Sequence, residues 1–396
     1  MTVALRYLVE LVVDPSMVGG PTVQLENVAG GTGRLIEPLP EMPPEGQNSF
    51  RKGDVLFSKL RPYLAKSVLV DRPLQGSGEF LCLRPSKAID PRYLRYTTLS
   101  RPWLDHANMT SYGAKMPRTS WEGMSDFEVP EVPIESQRRI ADFLDDRVSR
   151  IDRIIAARRA QRELTGSHRV SQLSQLMDNQ ASSSGLAPLR RFCTGIEQGS
   201  SPVGEDRRAE PSESGVLKTS SVYRGFFFPE RHKAISSEDG DSRYLVRTGD
   251  VIVIRGSGSA ELVGDAAVTH VEESGPKLQL SDLTYRLRGL DLAPQYAVMA
   301  LISSRGRSEL GSLVRQGSGP AKARGDDILS ISVPVATFDE QQQCVRTYAK
   351  VRDQWQDASN ELGRSIDLLT EYKSSLITAA VTGELDVSTT GSTIPG

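Results

Sequence analysis

Apolar residues recur every seventh position near the end of the chain, at Tyr348, Trp355, Leu362, Leu369 and Leu376. Val351, Ala358 and Tyr372 fill the seam between them, with Ser365 as a polar gap. Such a heptad pattern predicts a long helix packed along another helix. A less regular stripe runs through Ile140, Leu144, Val148, Ile151 and Ile155 at spacings of three and four. Arg158, Arg159, Gln161 and Arg162 interrupt it, and Gly166 marks a candidate break before Val170, Leu173 and Met177, because glycine costs about 1 kcal/mol inside a helix. Val55–Leu60 and Val251–Ile254, each introduced by Gly-Asp, read as buried strands. The segments after Pro91 and Pro294 read as helices with proline near the start.

The chain also repeats itself. Gly53-Asp54-Val55-Leu56-Phe57 returns as Gly249-Asp250-Val251-Ile252-Val253, 196 positions later. Val23–Val28 faces Leu217–Val222 at 194, and Asp90–Tyr93 faces Ala293–Tyr296 at 203. Val129-Pro130 with Glu135-Ser136-Gln137 faces Val333-Pro334 with Asp339-Glu340-Gln341 at 204. Four matches in one order, with an offset that grows as small loop insertions would make it grow, indicate a duplicated unit of half the chain. The predicted fold class is mixed α/β, with two globules and two long helices. The boundaries read 1–131 for the first globule, 132–178 for the central helix and 179–188 for a small polar linker. They continue as 189–335 for the second globule, 336–386 for the C-terminal helix and 387–396 for a flexible tail.

Composition removes several functions. Lys+Arg is 48 against Asp+Glu 50 in 396 residues, a net charge of −2, so bulk charge gives no sign of nucleic acid. Residues 1–131 carry 15 basic and 15 acidic side chains, and 188–335 carry 19 of each. Any positive surface must come from sorting charges onto faces. Three scattered cysteines and four histidines without a CxxC pair fit neither a zinc site nor a disulfide framework. Arg6 and Glu10 interrupt the N-terminal apolar run, and no stretch approaches eighteen apolar residues, so a cytoplasmic protein without a membrane span is expected. Walker A, GxSxG and HExxH motifs are missing, as is the NPPY- or DPPY-like tetrapeptide of an adenine methyltransferase, so neither catalysis nor a metal is expected of this chain.

GDVLFSKLRPYLAKSVLV (Gly53–Val70), FLCLRPSKAIDPRYL (Phe80–Leu94) and VPIESQRRIADFLDDRVSRID (Val132–Asp152) resemble the DNA specificity subunit of type I restriction–modification systems. The second half repeats the order more loosely as RTGDVIVIR, APQYAVMAL and VPVATFDEQQQCVRTYAKV, and the tail LLTEYKSSLITAAVTGELD resembles that family's closing helix. The resemblance covers residues near 5 to 386 and rests on order and duplication. It departs where Arg255-Gly256-Ser257-Gly258-Ser259 replaces SKLRP and where the prolines before the last helix shrink to Val333-Pro334. The resemblance implies two target recognition domains, each reading one half of a bipartite, asymmetric double-stranded DNA site. They would be held apart by helices packed as an antiparallel coiled coil with internal pseudo-twofold symmetry. A helix of about 40 residues is about 60 Å long, enough to place two readers about one DNA turn (34 Å) apart. The resemblance further implies partners: two DNA methyltransferase subunits and a motor endonuclease subunit. S-adenosylmethionine, ATP and Mg would sit on those partners, with no cofactor in this chain. Two other readings fit the same features: a DNA-reading adapter of a methylation-only or other phage-defence complex, and a coiled-coil protein scaffold that binds no DNA.

Candidate DNA contacts are cations next to strand exits and glycines. Lys59 and Arg61 follow a buried strand, where they suit a phosphate, a guanine edge or an ordinary solvated exit. Gly113–Arg118, with Lys115 and Arg118, is matched to Gly317–Arg324, with Lys322 and Arg324, and glycine permits close approach to a sugar-phosphate backbone. Arg224 precedes Gly225 and three phenylalanines, which suit either base wedges or core packing. Arg255 opens a Gly-Ser run whose amides could cradle phosphate. Asp145-Asp146 reads as salt-bridged helix surface. The candidate partner-binding and coiled-coil positions are Ile140, Leu144, Ile151, Ile155, Tyr348, Trp355, Leu362, Leu369 and Leu376.

Overall fold

Val55, Leu56, Phe57 and Ser58 form a strand whose four side chains are all buried. Strand alternation sends Val55 and Phe57 into one core and Leu56 into another. The first core holds Leu5, Leu83, Tyr93, Trp103 and Leu144, and the second Val23, Phe50, Val68 and Cys82. Val251–Ile254 does the same in the second half. Val251 and Val253 face Leu173, Tyr296 and Tyr348, while Ile252 and Ile254 face Leu217, Val246 and Leu280. The computed structural model describes residues 1–15, 20–43, 46–236, 240–315 and 320–387.

Each of these strands lies inside a four-stranded antiparallel sheet of one order. In the first half it runs Val9–Leu11, Phe80–Pro85, Val55–Ser58, Ser67–Leu69; in the second Gly195–Gln198, Thr284–Arg288, Val251–Ile254, Ala266–Val268. A second sheet in each half is built on a parallel pair, Gly20–Val23 with Leu74–Ser77 and Ser214–Leu217 with Lys277–Gln279. The halves diverge at its edges. Gln47–Phe50 is added beside Leu74–Ser77 in the first, whereas Gly204–Glu205 is added beside His232–Ile235 in the second.

The repeated Gly-Asp is a structural device. Gly53 and Gly249 sit at φ 97° and 92°, where a side chain would strain the turn. Asp54 accepts the Arg51 N–H at 2.8 Å and two Arg84 bonds at 2.9 Å from the neighbouring strand. Asp250 likewise accepts the Arg247 N–H and an Arg286 bond, both at 2.9 Å.

Eight α-helices complete the described chain, beside short 3-10 turns: α1 (Pro91–Leu99), α2 (Arg101–Met109), α3 (Trp121–Met124), α4 (Ile134–Ser184), α5 (Pro294–Ile302), α6 (Ser304–Gly311), α7 (Gly325–Leu329) and α8 (Phe338–Thr382). The chain divides into two units: Met1–Gln161 with Glu361–Gly396, and Arg162–Asn360. The long helices are therefore not separate spacer domains, since each unit takes half of α4 and half of α8. In the second unit Arg162 Nε bonds Ser359 Oγ at 3.0 Å and Arg169 Nη1 bonds the Tyr348 hydroxyl at 2.5 Å, so the helices run antiparallel there. In the first unit Lys373 Nζ meets Asp152 at 2.9 Å, and Leu144 and Val148 share a core with Ile377 and Ala380.

Three boundaries differ from the sequence expectation. Residues 179–184 continue α4, and Leu186–Pro188 pairs with Ser332–Pro334, so 179–188 is not a free linker. Gly166 lies within the unbroken α4, and a Cβ there would meet Trp355 Nε1 at an ordinary 3.7 Å, so the glycine breaks nothing. α8 spans 338–382 rather than 336–386, and 388–396, most of the expected tail, lies outside the described residues.

The seam also drifts. Tyr348 and Leu362 are buried and Trp355 half-buried, as the heptad requires, but Tyr372 is 57% exposed, and Lys373 and Ile377 are buried in place of Tyr372 and Leu376. Leu369 and Leu376 are half-buried. A straight helix drifts by about 20° per heptad, so four heptads accumulate about 80°, most of the roughly 100° that separates adjacent residues. On α4, Leu144, Ile151 and Ile155 are buried and Ile140 half-buried, and 156–164 is exposed throughout, matching the arginine-rich interruption.

Candidate nucleic-acid interface

The strand exit and the glycine loop meet in each unit. In the first, the Lys59 N–H donates to Glu79 O at 2.8 Å, and Lys59 O accepts the Thr119 N–H at 2.9 Å. The Arg61 N–H donates to Pro117 O at 2.7 Å, so Lys59–Arg61 and Pro117–Thr119 form one backbone ladder. Tyr112 and Arg118 exchange two further bonds, at 3.0 and 2.9 Å, which close the loop and leave Gly113–Met116 as its exposed tip. Gly113 has φ 90°, and Arg61 takes the left-handed conformation at φ 49° before Pro62, uncommon for a residue with a Cβ.

The second unit repeats the ladder. The Arg255 N–H donates to Leu283 O and Arg255 O accepts the Ala323 N–H, each at 2.9 Å. Gly256 pairs with Lys322 and Ser257 with Ala321, and Arg315 and Lys322 exchange two bonds at 3.1 Å, as Tyr112 and Arg118 do. This register corrects the sequence alignment of the two loops. Thr119 corresponds to Ala323, so Arg118 matches Lys322, and Arg324 matches Ser120 at the start of a short helix. Counting glycines misaligned the loops because the tips differ in length. Of the expected second loop, 316–319 lie outside the described residues.

The candidate cations fall into two groups. Arg61, Lys115, Lys322 and Arg324 are exposed, and no ion pair engages them among the described residues. Arg118 is spoken for: its Nη1 lies 2.9 and 2.7 Å from the two Glu79 oxygens. Lys59 is half-buried, and burial together with the nearby Arg118 charge pulls its ammonium pKa down. Arg255 is held by the Tyr285 hydroxyl at 2.9 Å and Asp282 O at 3.3 Å. The Gly256 N–H donates to Leu283 O at 3.4 Å and Ser257 pairs with Ala321, so this run is no open phosphate cradle.

Arg224 belongs elsewhere. Its N–H donates to Asp265 at 2.9 Å and its carbonyl accepts from Arg169, with no hydrogen bond to the Arg255–Lys322 ladder. Phe226 lies 5.2 Å from the Trp355 ring, so it packs on α8. Asp145 accepts from Arg95 at 2.8 Å and from the Tyr96 hydroxyl at 2.7 Å, the salt-bridged role its surroundings suggested. Sequence reasoning passed over Tyr63, Tyr112 and Met116, exposed apolar side chains in the two ladder segments of the first unit. Their only sequence signal is adjacency to Arg61 and Lys115.

The fold thus defines a class: a duplicated mixed α/β unit, each copy completed by the halves of two long helices. Over 354 residues the chain is 23% identical to the type I restriction enzyme EcoKI specificity subunit of Escherichia coli (strain K12), covering 83% of this chain and 74% of that one. A solved structure described as the basis of complex assembly and conformational transition of the type I R-M system matches at TM-score 0.69 and 16% identity, over 97% of this chain and 98% of that one. The HsdS subunit from Thermoanaerobacter tengcongensis matches at TM-score 0.44 and 17% identity, over 97% of each chain. No family model matches. The chain is similar to a type I restriction specificity subunit, the resemblance its motif order carries.

Proposed function

We propose that this chain is the DNA-recognition subunit of a type I restriction–modification enzyme, each unit reading one half of a bipartite, asymmetric double-stranded site. The observation that carries the reading is the ladder built twice from unrelated loop sequences, which presents exposed Arg61 and Lys115 in one unit and Lys322 and Arg324 in the other, none in an ion pair among the described residues. Unpaired cations on a rigid backbone neutralise phosphates and set register, while neighbouring side chains read base edges. Exposed Tyr112 in the first unit is matched by Arg315 in the second, which supports two different half-sites.

The partners are two methyltransferase subunits docked along the helices and a motor endonuclease subunit. S-adenosylmethionine, ATP and Mg would be carried by those partners, and the complex would work in the cytoplasm. No helix among the described residues is long and apolar enough to cross a membrane. The chain itself acts without catalysis. Burial raises the Cys82 thiol far above its ordinary range, away from nucleophilic use. The test combines purified chain with and without a methyltransferase subunit, labelled methyl donor and duplex DNA. Sequence-selective methylation is expected from the complex alone; incorporation by the isolated chain would overturn the assignment.

A further inference from the structure

A cavity of about 380 Å³ opens in the second unit between α4, α5 and the loop carrying Arg224. Arg169 of α4 lies at its wall, 2% exposed. Its guanidinium sits 4.7 Å over the Trp355 ring and 5.3 Å over Phe226. One nitrogen, Nη1, reaches the Tyr348 hydroxyl at 2.5 Å and Arg224 O at 3.2 Å. Its Nε is buried and meets no acceptor, and neither does the buried Trp355 Nε1.

The duplication shows what is missing. Lys373 stands 204 positions after Arg169, the same offset that relates Gln137 to Gln341, and it too is a buried cation at the helix seam. There Asp152 neutralises it at 2.9 Å. The position that corresponds to Asp152 is Gln356, which supplies no charge. The Asp265 carboxylate in the cavity feels the Arg169 charge, but it is shared with the Arg224 N–H at 2.9 Å and with Arg307 at 3.7 Å. Burying a cation with only a shared counter-charge is costly, so a partner that supplies one more is favoured there.

We infer that this cavity binds a small organic oxyanion, a phosphate or carboxylate head on a compact apolar body, held by Arg169 and Arg224. The Arg224 side chain enters no ion pair among the described residues, and the Ser167 hydroxyl adds a donor at the wall. Val170 and Ile302 line the rest of the cavity and give an apolar body its contact. Glu261 also lines the cavity, but three arginines against Glu261 and Asp265 leave the lining net positive. This site is independent of the proposed DNA-reading ladder, which uses other residues.

The test titrates the full chain with phenyl phosphate by calorimetry, with benzoate and inorganic phosphate in parallel arms. One saturable site per chain is expected for phenyl phosphate. Arg224→Ala should weaken it by about tenfold, the loss of one charge-assisted bond. Arg224→Lys should recover part of the loss, Lys322→Ala should change nothing, and a thermal melt shows that each variant is folded. Because Arg169→Gln removes a buried group and can fail to fold, the exposed Arg224 carries the decision. Benzoate binding in place of phenyl phosphate would assign the head as carboxylate within the same site. Absence of saturation at millimolar ligand, unchanged affinity in Arg224→Ala, or displacement by duplex DNA would each overturn the assignment. Equal affinity for inorganic phosphate would overturn the apolar body.

Discussion

The side-chain oxygen of Gln137 in α4 accepts the backbone N–H of Asp90, just ahead of α1, at 2.8 Å. Its amide group donates to Ala88 O at 3.0 Å and Val132 O at 2.8 Å. Gln341 repeats the arrangement, accepting the Ala293 N–H at 2.8 Å and donating to Ala336 O at 2.9 Å. Two motifs that match separately along the sequence therefore meet in space in each unit, where a buried amide locks a globule to its long helix.

Replacing either glutamine by alanine leaves buried backbone groups without partners and is expected to cost about 2 kcal/mol per substitution, since an unmet buried group costs about 1–3 kcal/mol. Urea unfolding midpoints for Gln137→Ala and Gln341→Ala measure this. A loss below about 0.5 kcal/mol, the scale of ordinary surface changes, would mean that water replaces the amide.

Arg61→Ala and Lys115→Ala should each weaken DNA binding for all sequences and reduce the salt slope by about 1, while leaving the melting temperature unchanged. Arg118→Ala should have the smaller effect on the slope, because Glu79 already neutralises Arg118. Binding measured across a salt series decides between them. Equal slopes for all three variants would place the phosphate contacts elsewhere.

Burial, with Asp54 beside it, raises the Cys82 thiol well above its ordinary pKa. A raised pKa means less thiolate at any given pH, and thiolate is the species that alkylates. Iodoacetamide at mildly alkaline pH should therefore label the half-buried Cys193 and Cys344 first, with Cys82 reacting only after unfolding. Peptide mass mapping reads the order, and early labelling of Cys82 would show that its sheet opens in the native state.

Exchanging residues 1–131 for the matching domain of another specificity subunit should change one half of the methylated motif and leave the other intact. Methylation mapping in cells gives the outcome. A chimera that changes both halves would contradict independent reading by the two units.

α4 is one uninterrupted helix, and its 156–164 stretch is exposed. Four residues inserted after Ala157, with four more after Ile366 in α8, lengthen each helix by about 6 Å. Because B-DNA rises about 3.4 Å per base pair, the spacer between half-sites should grow by about one or two base pairs. An unchanged spacer in an active complex would show that the helices hold partners without measuring DNA.

The duplication, the buried strands and the long helices were legible in the sequence because each follows from local periodicity or from ordered repeats. Val55 and Val251 had to be strands, and Leu144 and Leu362 had to face a seam, whatever lay opposite. Tertiary structure decided the rest. That Arg118 belongs to Glu79 while Lys115 is unpaired depends on a residue far away in the chain, and no spacing encodes it. The ladder from Lys59 to Thr119 aligns the two loops by backbone hydrogen bonds, which side-chain matching cannot see. Tyr372 yields the seam to Lys373 because an undistorted helix turns every 3.6 residues, whereas the heptad assumes 3.5. Arg169 and Lys373 look alike in sequence; only the surrounding cores give one a carboxylate and leave the other facing a cavity.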